Sequence, residues 1–119
     1  MKRIFLFTIT VLLVNGCAVQ APLQTQRGPV GALMAQADQF SAKGDSRQAI
    51  ALIERAVRIE PRNGHAWLRL AKLYFESGDL NKAEQFARRA KQFAGADKSL
   101  QRQCQQLLEK VRSQLKGAG

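Results

Sequence analysis

The stretch "GDSRQAIALIERA", Gly44 to Ala56, returns in outline as "GDLNKAEQFARRA", Gly78 to Ala90. Gly44, Asp45, Ala49 and Ala56 recur 34 residues later as Gly78, Asp79, Ala83 and Ala90. Upstream, Leu33, Ala37 and Phe40 recur as Trp67, Ala71 and Tyr74. A chain with this period builds one supersecondary unit twice and buries its apolar face by stacking the copies. Each unit reads as two helices joined at a glycine. The first helices are expected over about 30–43 and 64–77, and the second over about 46–59 and 80–94. Ala37 and Ala71 would let helices approach closely, with Phe40 and Tyr74 filling the space beside them. Gly44 and Gly78 suit a left-handed turn at the end of the first helix. Asp45 and Asp79 suit the N-cap of the second, accepting from otherwise unpaired backbone N–H groups. Those aspartates therefore read as caps rather than catalytic acids.

The segment "DKSLQRQCQQLLEKVRSQLK" supplies a third element. Leu100, Cys104, Leu107, Leu108, Val111 and Leu115 fall at i, i+4, i+7, i+8, i+11 and i+15, an apolar stripe on one helical face. Gln, Lys and Arg occupy the rest. This predicts a polar-backed helix over about 98–116 that closes the open end of the stack. Cys104 lies in the stripe and reads as a small buried hydrophobe; the other reading is a thiol that pairs between chains. Two repeats and a cap are close to the smallest stack that is stable. A marginal monomer, or support from a homodimer or partner, is expected.

Trp67, Leu70, Ala71, Tyr74, Gly78, Ala83 and Ala90 together resemble the tetratricopeptide repeat. The first copy is looser, with Gln36 where leucine is usual, but ends on the expected Pro61; in the second, Gly95 takes that place. The resemblance covers residues 30–95. It implies an all-α fold of two stacked helix-turn-helix repeats, about 30–61 and 64–95, within a domain of residues 30–119. It also implies a concave groove lined by the first helix of each repeat, and a protein partner for that groove. The matching positions are Met34, Asp38 and Ser41, then His65, Leu68, Lys72, Phe75 and Glu76. Leu68, Lys72, Phe75 and Glu76 are spaced i, i+4, i+7 and i+8, which puts them on one face. Trp67, Leu70, Ala71 and Tyr74 already provide a core face, so Leu68, Leu73 and Phe75 read as surplus apolar surface. Such surface on a small domain marks an interaction site. For Phe75, packing under the closing helix is the competing reading.

The start of the chain carries a different signal. Lys2 and Arg3 precede an apolar run, Ile4–Val14, too short for a transmembrane helix of about 20 residues but of signal-peptide length. "VNGC", Val14 to Cys17, resembles the lipobox of bacterial lipoproteins. That resemblance implies a signal, residues 1–16, removed before Cys17, and a lipidated Cys17 as the new N-terminus. Several acyl chains make such an anchor effectively permanent, since each buried CH₂ contributes about 0.8 kcal/mol. Ala18 after the cysteine implies the outer membrane, with the domain on its periplasmic face. Residues 17–29 would be the acylated cysteine and a flexible tether, with a reach of about 20 Å.

Catalysis finds no support in the pattern. His65 is the single histidine, without a neighbouring nucleophile or a metal-spaced companion. No Gly-rich phosphate loop is present, and the acids Asp38, Asp45, Glu54, Glu60, Glu76, Asp79, Glu84, Asp97 and Glu109 lie scattered. No cofactor or metal is expected. The net charge is +10, falling to +8 if Lys2 and Arg3 leave with a signal. Residues 80–119 hold nine cations against three acids, a net +6. Arg88, Arg89, Lys91, Lys98 and Arg102 form the nearest approach to a basic flank. Such a flank attracts phosphate, but no aromatics interleave with the cations, and a periplasmic domain meets little nucleic acid. The readings left are a solvated basic face, or contact with anionic lipid, an acidic protein or a cell-wall polymer. The favoured reading is thus a lipid-anchored interaction module, an adaptor or assembly factor working through its groove. The alternative is a homodimeric or surface-binding structural lipoprotein that uses its basic C-terminal helices.

Overall fold

The computed structural model describes residues 28–119; the expected signal, Cys17 and nearly all of the tether lie outside them. Five α-helices follow one another: α1 (Gly28–Ala42), α2 (Ser46–Ile59), α3 (Gly64–Glu76), α4 (Leu80–Gln92) and α5 (Lys98–Gly117). None of them is long and apolar enough to cross a membrane. Helix α1 begins two residues before its expected start. "Gly-Pro" at 28–29 reads as linker, but proline suits a first helical turn, where its missing N–H has no partner to lose.

The turns follow the repeat. Gly44 and Gly78 adopt φ of +80° and +84°, a conformation other residues enter only under strain. Asp45 Oδ1 accepts from the Gln48 N–H at 3.1 Å, and Asp79 Oδ1 accepts from the Lys82 N–H at 3.1 Å. Asn63 and Asp97 do the same for α3 and α5, accepting from Ala66 at 3.1 Å and Leu100 at 2.9 Å. Four of the five helices therefore start on a side-chain cap that satisfies an otherwise unpaired backbone N–H.

Neighbours in sequence are neighbours in space, and α3 also packs on α5. Alanines set the close approaches: Ala49, Ala56, Ala66, Ala71, Ala83, Ala87 and Ala90 are fully buried. Ile53, Leu70, Leu100 and Val111 are the large side chains sealed between them. Trp67 is 8% exposed and its indole N–H donates to the Pro61 carbonyl at 2.7 Å, so the side chain is packed and its one donor satisfied. Cys104 is completely buried, and burial pushes its thiol up, against the opposing pull of the Lys72 and Lys91 ammonium groups. It fills space as a hydrophobe and is closed to a second thiol.

One expectation fails here. Leu68 and Leu73 are 4% and 3% exposed and belong to the core. The sequence reading allowed α3 a single core face. In the fold α3 packs on α2, α4 and α5 at once, so its buried arc is wide enough to take both leucines.

Candidate functional site

The odd-numbered helices form one wall of the molecule, and three adjoining clefts run along it. The largest, about 350 Å³, lies between α3 and α5 and is lined by Lys72, Phe75, Glu76, Gln103, Gln106, Leu107 and Lys110. The second, about 170 Å³, is bounded by Met34, His65, Leu68, Arg69, Lys72 and Gln103. The third, about 50 Å³, lies between α1 and α3, with Asp38, Ser41, Arg69, Lys72 and Glu76 among its walls. Lys72 borders all three, so they make one groove with that residue at its centre.

All eight residues assigned to the groove from sequence line one of these clefts. Their roles in shape differ. Leu68 gives the floor of the second cleft and is held by the core, offering almost no free surface. Phe75 is half-buried and faces the α5 residues Gln103, Gln106 and Leu107 across the large cleft. Its two competing readings therefore merge, since the closing helix is itself a wall of the groove.

Polar bridges hold the walls together. Arg69 Nη2 donates to Asp38 Oδ2 at 2.7 Å, joining α3 to α1. Lys72 Nζ donates to Gln103 Oε1 at 3.1 Å, joining α3 to α5. His65 Nε2 lies 3.0 Å from Asp97 Oδ2 at the groove's end. Asp97 is held below the usual carboxylate range, first by the Leu100 N–H it caps and then by His65. The histidine–carboxylate pair is thus committed to starting α5. The Arg69–Asp38 and His65–Asp97 contacts are exposed and that of Lys72 with Gln103 is part-buried; the Arg69–Asp38 ion pair is worth about 0–1 kcal/mol. They fix the spacing of the helices more than the stability of the fold.

Arg69, Gln103, Gln106, Leu107 and Lys110 were missed from sequence. A signal for three of them existed. Adding the 34-residue period to the α3 groove positions Lys72 and Glu76 gives Gln106 and Lys110, and to the core residue Leu73 gives Leu107. Helix α5 thus stands where the first helix of a third repeat would stand. Reading it only as a cap concealed its second face.

The basic flank is less free than its composition suggests. Arg88 is paired with Glu84 at 2.6 Å, one turn away. The Arg89 guanidinium lies 5.0 Å from the Trp67 ring centroid, a cation–π contact. Lys91 Nζ donates to Gln105 Oε1 at 2.9 Å. Lys98 and Arg102 are exposed on α5 and make no ion pair among the described residues.

This arrangement, helix pairs stacked at a 34-residue period with a groove along their first helices, agrees with comparison to known proteins. The tetratricopeptide repeat family matches residues 41–110, and the chain belongs to that family. The match runs past residue 95 into α5, as a third first-helix requires. Among solved structures, the globular C-terminal domain of LpoP from P. aeruginosa is similar, with 38% identity and a TM-score of 0.71. The likeness covers 72% of this chain and 81% of that one. No curated protein matches the chain.

Proposed function

We propose that this protein is a lipid-anchored adaptor or assembly factor of the bacterial periplasm, holding a partner protein in the groove between α1, α3 and α5. The observation that carries the reading is the continuity of the three clefts around Lys72. A tetratricopeptide fold supports a protein partner, and so does the mixture of apolar floor and polar rim that recognition sites share. The "VNGC" motif and Ala18 support an anchor at Cys17 in the outer membrane. The basic-flank alternative keeps most of its charge, since only Arg88 is neutralised, by Glu84, while Arg89 lies over the Trp67 ring and Lys91 bonds the neutral Gln105.

The test is crosslinked co-purification from membranes. The native chain is compared with a Phe75→Glu, Glu76→Lys variant of equal helicity, which spares the buried Leu68. A defined protein retained by the native chain and lost with the variant is the expected result. The same proteins recovered with both would overturn the groove reading. Cys17→Ser should release the protein from membranes without detergent, and persistent retention would contradict the anchor.

A further inference from the structure

Within the groove the charges are unevenly satisfied. Arg69 is paired with Asp38, and His65 with Asp97. Lys72, half-buried at the centre, has only the neutral Gln103 amide. Lys110, on the facing wall of the largest cleft, makes no ion pair among the described residues. Glu76 is one turn beyond Lys72 on α3, yet it makes no ion pair and Lys72 bonds Gln103 instead. An ammonium has three N–H donors, and the Gln103 oxygen takes one. Two cations with spare donors thus border a cleft whose apolar lining comes from Phe75 and Leu107.

We propose that this cleft takes a segment of a partner protein in which a carboxylate sits beside an apolar side chain. The carboxylate bonds Lys72 and Lys110, and the apolar side chain lies against Phe75, above a floor set by the nearly covered Leu107. The proposal rests on the groove reading and adds the chemistry of the occupant. A charge-assisted bond to carboxylate is about twice as strong as a neutral one, and partial exclusion of water by the cleft favours it further. About 350 Å³ is room for one large side chain and a flanking carboxylate. Over residues 28–119 sixteen cations face nine acids, a net +7, so an acidic partner is also steered toward the domain. The apolar lining at Phe75 suits a peptide segment better than a free phosphate or a lipid headgroup, neither of which would cover it.

The full chain in detergent micelles, panned against a displayed library of random short peptides, tests this. Native protein should enrich Asp or Glu next to Phe, Leu or another large apolar residue. A synthetic copy of an enriched peptide should bind the Lys72→Met, Lys110→Met variant about tenfold more weakly. The Lys72→Glu, Lys110→Glu variant should shift enrichment to Lys and Arg. Lys110→Glu alone, at an exposed position, checks the direction of that shift without risk to the fold. Acidic enrichment unchanged by these substitutions would place the attraction on the basic flank and overturn the proposal. Enrichment of neutral apolar peptides by the native chain would also overturn it; if Phe75→Glu abolishes that binding, the groove reading survives alone. No enrichment, or enrichment indifferent to every groove variant, would sink both.

Discussion

In the first repeat Leu33, Phe40 and Leu52 stand where the second has Trp67, Tyr74 and Phe86. The skeleton around them is the same. Both turns have a left-handed glycine, both second helices start on an aspartate cap at 3.1 Å, and both crossings are made by alanines. In the second repeat the three rings form a chain, with centroids 5.7 Å apart between Trp67 and Phe86 and 5.4 Å between Tyr74 and Phe86. Its polar ends are tied back to preceding segments, Trp67 to the Pro61 carbonyl and the Tyr74 hydroxyl to Glu54 at 3.0 Å. The first repeat is the end of the stack, whereas the second lies between α2 and α5. Small residues and caps set the path of the backbone; the large residues set how firmly each copy is held.

A second difference concerns the start of the first helices. Gly64 faces the Leu100 side chain and the carbonyl oxygens of Phe93 and Ala90, all so near that a Cβ would come within 2.9–3.1 Å of them. The corresponding residues 34 places earlier are Val30 for Gly64 and Ala66 for Leu100, both buried. Large and small have changed places between the two copies.

Trp67→Ala should cost the most, about 3–5 kcal/mol in urea unfolding, while Leu33→Ala at the end of the stack should cost about 2–3 kcal/mol. Equal losses would erase the distinction between the repeats. Gly64→Ala should destabilise by about 1–3 kcal/mol, because two of the three crowding atoms are backbone and cannot turn aside. A neutral or stabilising result would show that α3 and α4 can part without loss. Asp45→Ala and Asp79→Ala should each lower stability by about 1 kcal/mol, and by the same amount, since the caps share one geometry. A clear inequality in thermal melting would mean that the skeleton is not equivalent in the two copies.

The smallest effect separates Tyr74 from Phe40. Burial, then the bond to Glu54 and the charges of Glu54 and Asp79, push Tyr74 up to about 12 from its ordinary 10. The folded form therefore holds its proton more tightly. The associated stability is complete below pH 10 and is lost as pH rises from 10 toward 12. Relative to Tyr74→Phe, the native protein should lose its advantage across that window. A difference between the two that stays constant with pH would show that the phenol does not titrate in this way.

Much of the fold was legible because the repeat places chemically distinctive residues where geometry demands them. Glycine is needed at φ near +80°, aspartate at an N-cap, and alanine where helices touch. The stripe of α5 was legible for the same reason, and its buried residues match Leu100, Cys104, Leu107, Leu108 and Val111. Leu68 and Leu73 were misread because a helical pattern reports how wide an apolar face is and not how many neighbours cover it. The bridges Arg69–Asp38 and Lys72–Gln103 were invisible, since long polar side chains carry no periodic signal for their partners. Gly64 gave no sign of its crowding, because its contacts lie about 30 residues further along the chain.

The most direct measurement is photocrosslinking in intact envelopes, with a benzophenone side chain placed at Phe75 or Gln106 in the groove, or at Arg88 or Lys91 on α4 outside it. One protein adduct from both groove positions, weak or missing from the outer two, is the predicted result. The same adduct from Arg88 and Lys91, with Phe75 and Gln106 silent, would contradict the groove and return the function to the basic helices.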